Sequence, residues 1–190
     1  EFTIYDISNP VSLSAQNGID TAATVLGIQV SGKYAYIGNG AVAGTCSGAT
    51  LTGCEVRIYD ISTPTAIVAV SGIDKTVESR GAFQTGNYLY VANGVIAGTC
   101  DTTTETGCEF SIYDVSVPST PTFAGGKDIG ASARSLWVSG KYAYTVTTAN
   151  ASGNEINIWD IPGATLPAAH IGSLSVEDFS VTNNAKILGA

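Results

Sequence analysis

Four cysteines stand in the chain as two like pairs, Cys46 with Cys54 and Cys100 with Cys108, each closing a loop rich in Ser, Thr and Gly. Thiols so placed support two chemistries. One is a disulfide within each pair, which uses the symmetry between the pairs. The other is a zinc site, whose ligands more usually come in closely spaced twos. The even count and the repeated flanks, Ala43-Gly44-Thr45-Cys46 and Ala97-Gly98-Thr99-Cys100, favour local disulfides, each adding about 2–3 kcal/mol by closing a short loop.

Acid–base chemistry has little to work with. The single histidine, His170, lies in an apolar stretch with no carboxylate or Cys beside it, and no nucleophile elbow, phosphate loop or paired-His motif occurs. The catalytic set is therefore empty. Carboxylates recur instead: Glu1, Glu55, Glu109 and Glu155 in one series, Asp6, Asp60, Asp114 and Asp160 in another. Groups that return in every repeat are read as structural, the aspartates as turn-forming. A third series, Asp20, Asp74 and Asp128, could ring one mouth of a channel and hold a hard cation such as calcium, the one cofactor the sequence suggests.

Asymmetry between repeats marks a second candidate. Arg80 and Arg134 occupy equivalent places where the first unit has Leu26, and Phe83 and Trp137 match Gln29. Arginines beside aromatics could hold an acidic or sugar ligand, while an ion pair of Arg80 with Glu78, or of Arg134 with Glu177, would explain the charges structurally. Asn150-Ala151-Ser152 is a candidate glycosylation acceptor.

The elements that must position these residues follow from a repeat. Ile4-Tyr5-Asp6-Ile7-Ser8-Asn9-Pro10 returns as Ile58-Tyr59-Asp60-Ile61-Ser62-Thr63-Pro64, as Ile112-Tyr113-Asp114-Val115-Ser116-Val117-Pro118, and in decayed form as Ile158-Trp159-Asp160-Ile161-Pro162. In step with it run Val30-Ser31-Gly32-Lys33-Tyr34-Ala35-Tyr36, Gln84-Thr85-Gly86-Asn87-Tyr88-Leu89-Tyr90 and Val138-Ser139-Gly140-Lys141-Tyr142-Ala143-Tyr144, with a weak copy at 181–188.

Each unit parses into four short strands. Gly32, Gly86 and Gly140 supply the positive φ of a tight hairpin between the first and second. The third ends at Asp-Ile-Ser-x-Pro, where Asp or Ser can bond a backbone N–H and Pro cannot continue a ladder. An apolar run such as Ala66-Ile67-Val68-Ala69-Val70 gives the fourth. Strands apolar on both faces, as in Tyr34-Ala35-Tyr36-Ile37, belong to a sheet sandwiched between two others. The expectation is an all-β propeller with four-stranded antiparallel blades.

Residues 1–190 form a single domain in this reading, with units near 25–76, 79–130, 133–175, and 1–24 joined to 177–190. Four blades result. Either the terminal hairpins share the last blade and close the ring, or half-blades are completed by neighbouring chains. The chain has no Met and reads as a mature product or part of a longer precursor.

The paired segments at 30–36 and 58–64 resemble the LVIVD repeat, whose units carry a Gly-x-Tyr-Ala-Tyr element followed by Asp-Val-Ser-x-Pro. The resemblance implies a propeller of bacterial or archaeal surface or secreted proteins, without a defined enzymatic activity and with no catalytic residues to carry over. The cysteine loops depart from the repeat as an elaboration of it.

Function follows by exclusion. A net charge of −8 with only 8 Lys and Arg argues against nucleic acid and anionic membrane surfaces, and no apolar run reaches the roughly 18 residues of a membrane span. Disulfides point to an oxidising, extracellular or cell-surface setting. The expected role is a non-enzymatic scaffold that associates with itself or with other surface proteins, as a fibre or layer subunit. The alternatives are a propeller binding a sugar or divalent cation at the channel mouth, and a propeller hydrolase or lyase.

Overall fold

The computed structural model describes residues 1–48, 50–149, 153 and 155–161. Strands and turns account for it, as the Thr, Val, Ile and Tyr content favours. Sheet I is the hairpin β1 (Phe2–Asp6) and β2 (Ser14–Ile19). Sheet II is β3 (Val25–Ser31), β4 (Tyr34–Asn39), β5 (Val56–Asp60) and β6 (Val68–Ile73), and sheet III is β7 (Ser79–Thr85), β8 (Tyr88–Asn93), β9 (Phe110–Asp114) and β10 (Thr122–Lys127). Sheet IV holds β11 (Ala133–Ser139), β12 (Tyr142–Thr147) and β13 (Ile156–Asp160). Every sheet is an antiparallel meander in chain order.

The local chemistry matches the repeat. Gly32, Gly86 and Gly140 take φ of 56°, 58° and 58°, turning β3 into β4, β7 into β8 and β11 into β12. At the ends of β1, β5 and β9, the carboxylates of Asp6, Asp60 and Asp114 accept the backbone N–H of Ser8, Ser62 and Ser116 at 2.8, 2.9 and 2.8 Å. Hydrogen bonding from the serines, led by the side chains of Ser62 and Ser116 at Asp60 and Asp114 and by the backbone N–H of Ser8 at Asp6, holds all three carboxyls below the ordinary range; Asp60, which also pairs with Lys33, falls to about 2. The fourth strand of sheet II begins at Val68 and not at Ala66, because Thr63 to Ala66 close a turn, the Ala66 N–H donating to the Thr63 carbonyl at 2.8 Å.

Three apolar clusters lie between the four sheets. Phe2 and Ile4 of sheet I meet Ala35, Ile37 and Tyr59 of sheet II. Tyr36, Val56 and Ile58, on the opposite face of sheet II, meet Leu89, Val91, Tyr113 and Val115 of sheet III. Tyr90 and Phe110 of sheet III meet Leu136, Val138, Ala143 and Ile161 of sheet IV. Burial on both faces explains why the strands do not alternate with polar residues. The first strand of sheet III approaches the first two strands of sheet II so closely that a Cβ at Gly27 would stand 2.6 Å from the Arg80 carbonyl, and one at Gly38 2.4 Å from that of Ser79.

The sheets are propeller-like but do not close into a ring among the described residues. The hairpin expected at 177–190, the end of the unit drawn to 175, His170 and Asn150 lie outside those residues.

Candidate functional site

Both cysteine pairs are joined, Cys46 to Cys54 and Cys100 to Cys108, with Cα atoms 4.4 Å apart in each. No cysteine is free, which leaves no thiolate for zinc. The two loops share a backbone path: Leu51 and Glu105 take φ of 56° and 65°, Gly53 and Gly107 take 72° and 73°. Each disulfide rests on a glycine of the fourth strand. A Cβ at Gly72 would stand 2.4 Å from the Cys54 Sγ, and one at Gly126 2.9 Å from the Cys108 Sγ.

Glu55 and Glu109 follow the disulfides and are fully buried. The carboxylate of Glu55 accepts the N–H of Val42 at 2.9 Å and of Lys75 at 2.7 Å; that of Glu109 accepts Ile96 at 2.9 Å and Ile129 at 2.8 Å. Each thereby ties the loop after the second strand to the turn that leads into the next sheet. Burial pushes the Glu55 carboxyl up, with the donated N–H groups opposing it. Glu1 and Glu155 are exposed, so the series is structural at its two central members.

Two buried cations were not legible in the repeat. Arg57 on β5 donates Nε to the Cys54 carbonyl at 3.0 Å and a terminal N–H to the Thr21 carbonyl at 2.6 Å. Lys75 pairs with Glu105 and donates to Ser111 Oγ at 3.0 Å and Tyr113 Oη at 3.1 Å, while Tyr113 also donates to Glu105. Burial lowers the lysine against the pull of Glu105, and burial and that same carboxylate push the tyrosine up. The signal was a disagreement between aligned positions: Arg57 of sheet II stands where sheet III has Ser111, Lys75 where the turn after sheet I has Thr21, and Glu105 in the loop of sheet III where that of sheet II has Leu51.

The three aspartates of the cation series do not come together. Asp20 and Asp128 accept the N–H of Ala22 and Gly130, each at 2.8 Å, and Asp74 accepts that of Cys46 at 3.1 Å. Among the described residues, no three His, Cys, Asp or Glu side chains are grouped to hold a metal ion.

Arg80, Arg134, Phe83 and Trp137 do converge. Together with Leu26, Ile28 and Gln29 they line an open cleft of about 500 Å³ across β3, β7 and β11. Leu26, Arg80 and Arg134 each fall at a register shift of the first strand, between Val25 and Gly27, Ser79 and Gly81, and Ala133 and Ser135. Such bulges re-aim a side chain out of the pleat. Arg80 pairs with Glu78, while its Nε is buried without a partner; Arg134 is exposed and has no ion pair among the described residues. The rings of Phe83 and Trp137 meet edge-on, centroids 4.8 Å apart.

The fold and its recurring turns define an all-β array of propeller-like antiparallel sheets, two of them four-stranded among the described residues. The chain carries LVIVD repeats: the model of the LVIVD repeat matches residues 1–21, 24–42 and 130–162. No curated protein matches it. Among solved structures it is similar to the crystal structure of the computationally designed Ika4 protein, at 11% identity and a TM-score of 0.36, over 73% of this chain and 92% of that one. A likeness that slight carries no argument. No helix among the described residues is long and apolar enough to cross a membrane.

Proposed function

We propose that the chain is a non-enzymatic interaction scaffold, secreted or displayed on a cell surface, and built as a propeller of four blades in which sheet I is the outer half of one. The use made of its carboxylates carries the reading: those of Glu55 and Glu109 are occupied by backbone N–H groups, and those of Asp6, Asp60 and Asp114 close turns. Charge in this chain goes to architecture. The two disulfides suit an oxidising compartment. Incubation of the purified protein with glycan and ester substrates is expected to give no turnover; turnover abolished by a point substitution overturns the reading.

The cleft favours a second reading, a scaffold that also holds an acidic ligand. Two of the chain's three arginines line it, beside one of its two tryptophans, although the net charge is −8. A guanidinium binds a carboxylate through paired N–H groups, and an indole face packs on a sugar ring. A uronic-acid oligosaccharide is the probe. Arg134→Ala is expected to weaken its binding at least tenfold with the melting temperature unchanged, and equal binding by the variant removes this reading.

A further inference from the structure

Two equivalent places in the array are finished differently, and one of them lacks a charge. Between sheets II and III the buried ammonium of Lys75 meets the carboxylate of Glu105, to which Tyr113 also donates. Between sheets I and II the positions of Lys75, Glu105 and Ser111 are held by Thr21, Leu51 and Arg57. The cation has moved from the turn to the strand, and the carboxylate has gone. Arg57 is 3% exposed and has no ion pair among the described residues.

Backbone carbonyls hold Arg57 without neutralising it. Its Nε and one terminal nitrogen donate to Cys54 and Thr21 at 3.0 and 2.6 Å, and the other terminal nitrogen has no partner among the described residues. A guanidinium keeps its proton at any ordinary pH, so the charge stays. A buried charge with no counter-charge is costly, and an anion that reaches it relieves that cost through charge-assisted hydrogen bonds.

The structure provides the access. A pocket of about 280 Å³ opens beside Arg57 and Tyr59, with Ile19 and Ile67 among its apolar walls and the carboxylate of Asp20 in its lining. Where Lys75 and Glu105 stand, the equivalent pocket is about 140 Å³. The hydroxyl of Tyr59 has no hydrogen-bond partner among the described residues, while that of its counterpart Tyr113 meets both Lys75 and Glu105. At the junction of sheets II and III, where β3 and β4 are described, neither strand lines the pocket; all its lining residues fall between Asp74 and Thr106. The counterpart of each, Asp20 first and Thr52 last, is described, so the pocket between sheets I and II is built from residues in view.

We propose that this pocket binds a small monocarboxylate, whose carboxylate takes the place beside Arg57 and Tyr59 that the carboxylate of Glu105 takes beside Lys75 and Tyr113. The free terminal nitrogen of Arg57 and the hydroxyl of Tyr59 are the donors, and the walls at Ile19 and Ile67 receive a short apolar chain. Asp20 sets a negative charge against any ligand that brings a second one. The site is separate from the cleft of Arg80 and Arg134 and does not rest on the scaffold reading.

Titration of the isotopically labelled intact chain with sodium propionate, followed by NMR at the Arg57 Nε–H, tests it. A saturable shift of that resonance is expected at millimolar propionate and not with sodium chloride at the same concentration. Arg57→Gln is expected to weaken binding about tenfold or more, and Tyr59→Phe, which keeps the ring packed on Phe2, several-fold. Sulfate should bind more weakly than propionate, and Arg134→Ala should leave the titration unchanged. No saturable shift at Arg57, the same shift with chloride, tighter binding of sulfate, or full binding by a folded Tyr59→Phe or Arg57→Gln variant overturns the proposal. Loss of the shift in Arg134→Ala overturns it too, by placing propionate in the cleft.

Discussion

Lys75, in the turn between sheets II and III, reaches Glu105, inside the disulfide loop of sheet III, and the pair is closed over by Tyr113 and Ser111. Sheet II solves the same packing problem otherwise. There Leu51 takes the place of Glu105, and the buried cation is Arg57, satisfied by carbonyls of Cys54 and Thr21. One unit thus uses an ion pair where its neighbour uses an apolar side chain and backbone oxygens.

Breaking that pair on one side should be costly. Glu105→Gln leaves the ammonium of Lys75 buried without its counter-charge, and we expect a loss of about 3–5 kcal/mol in urea unfolding. Glu105→Leu with Lys75→Met, which imitates the apolar solution at Leu51, should recover most of it.

Two glycines separate packing from backbone conformation. Gly72→Ala puts a methyl group against the Cys46–Cys54 disulfide and should destabilise by about 1–3 kcal/mol or more. Gly32→Ala meets nothing within 4 Å, but its φ of 56° is strained for alanine, so about 1–2 kcal/mol is expected. Thermal unfolding of both variants checks the order.

Reduction isolates the loops. Each disulfide closes a sequence separation of 8, for which chain entropy gives about 2–3 kcal/mol. Cys100→Ala with Cys108→Ala should lower stability by that amount and keep the strand signal in circular dichroism, because the loops decorate the sheets. Loss of the strand signal would show that sheet III needs its clasp to form.

The pH dependence has a definite sign. Asp60 is held at about 2 in the folded chain against 3.8, so its contribution to stability is present above 3.8 and lost as pH falls towards 2. Glu55 is raised by burial and opposes this, its ionisation costing stability as pH rises through its folded value. Asp60→Asn should flatten the acid limb between pH 4 and 2; an unchanged limb in acid titration of the variant would show that other carboxylates dominate.

Much of the architecture was readable because it is written several times. Four Ile-Tyr-Asp or Ile-Trp-Asp segments fall on β1, β5, β9 and β13, the turn glycines adopt positive φ, and the cysteines pair within their loops. Where one copy departs from the rest, averaging over units hides the answer. The partnership of Lys75 with Glu105 crosses from one unit to the next and exists once. The register shift at Arg80 and Arg134 was equally hidden, since a bulge depends on which residue loses its cross-strand partner. Asp20, Asp74 and Asp128 lined up in sequence but stand at successive turns, each bonded to a nearby N–H, so alignment did not become convergence.

A contact that a chain already makes with itself at every step has a bearing on its history. Gene duplication that inserts another copy of 54 residues next to an existing one presents to each neighbour an apolar surface of the kind it already accommodates, and leaves only a seam-specific contact such as Lys75 with Glu105 to be adjusted. The length of such an array is then free to drift by whole units. Divergence is left to the connections between strands, where this chain carries its cysteines in two copies and not in the others.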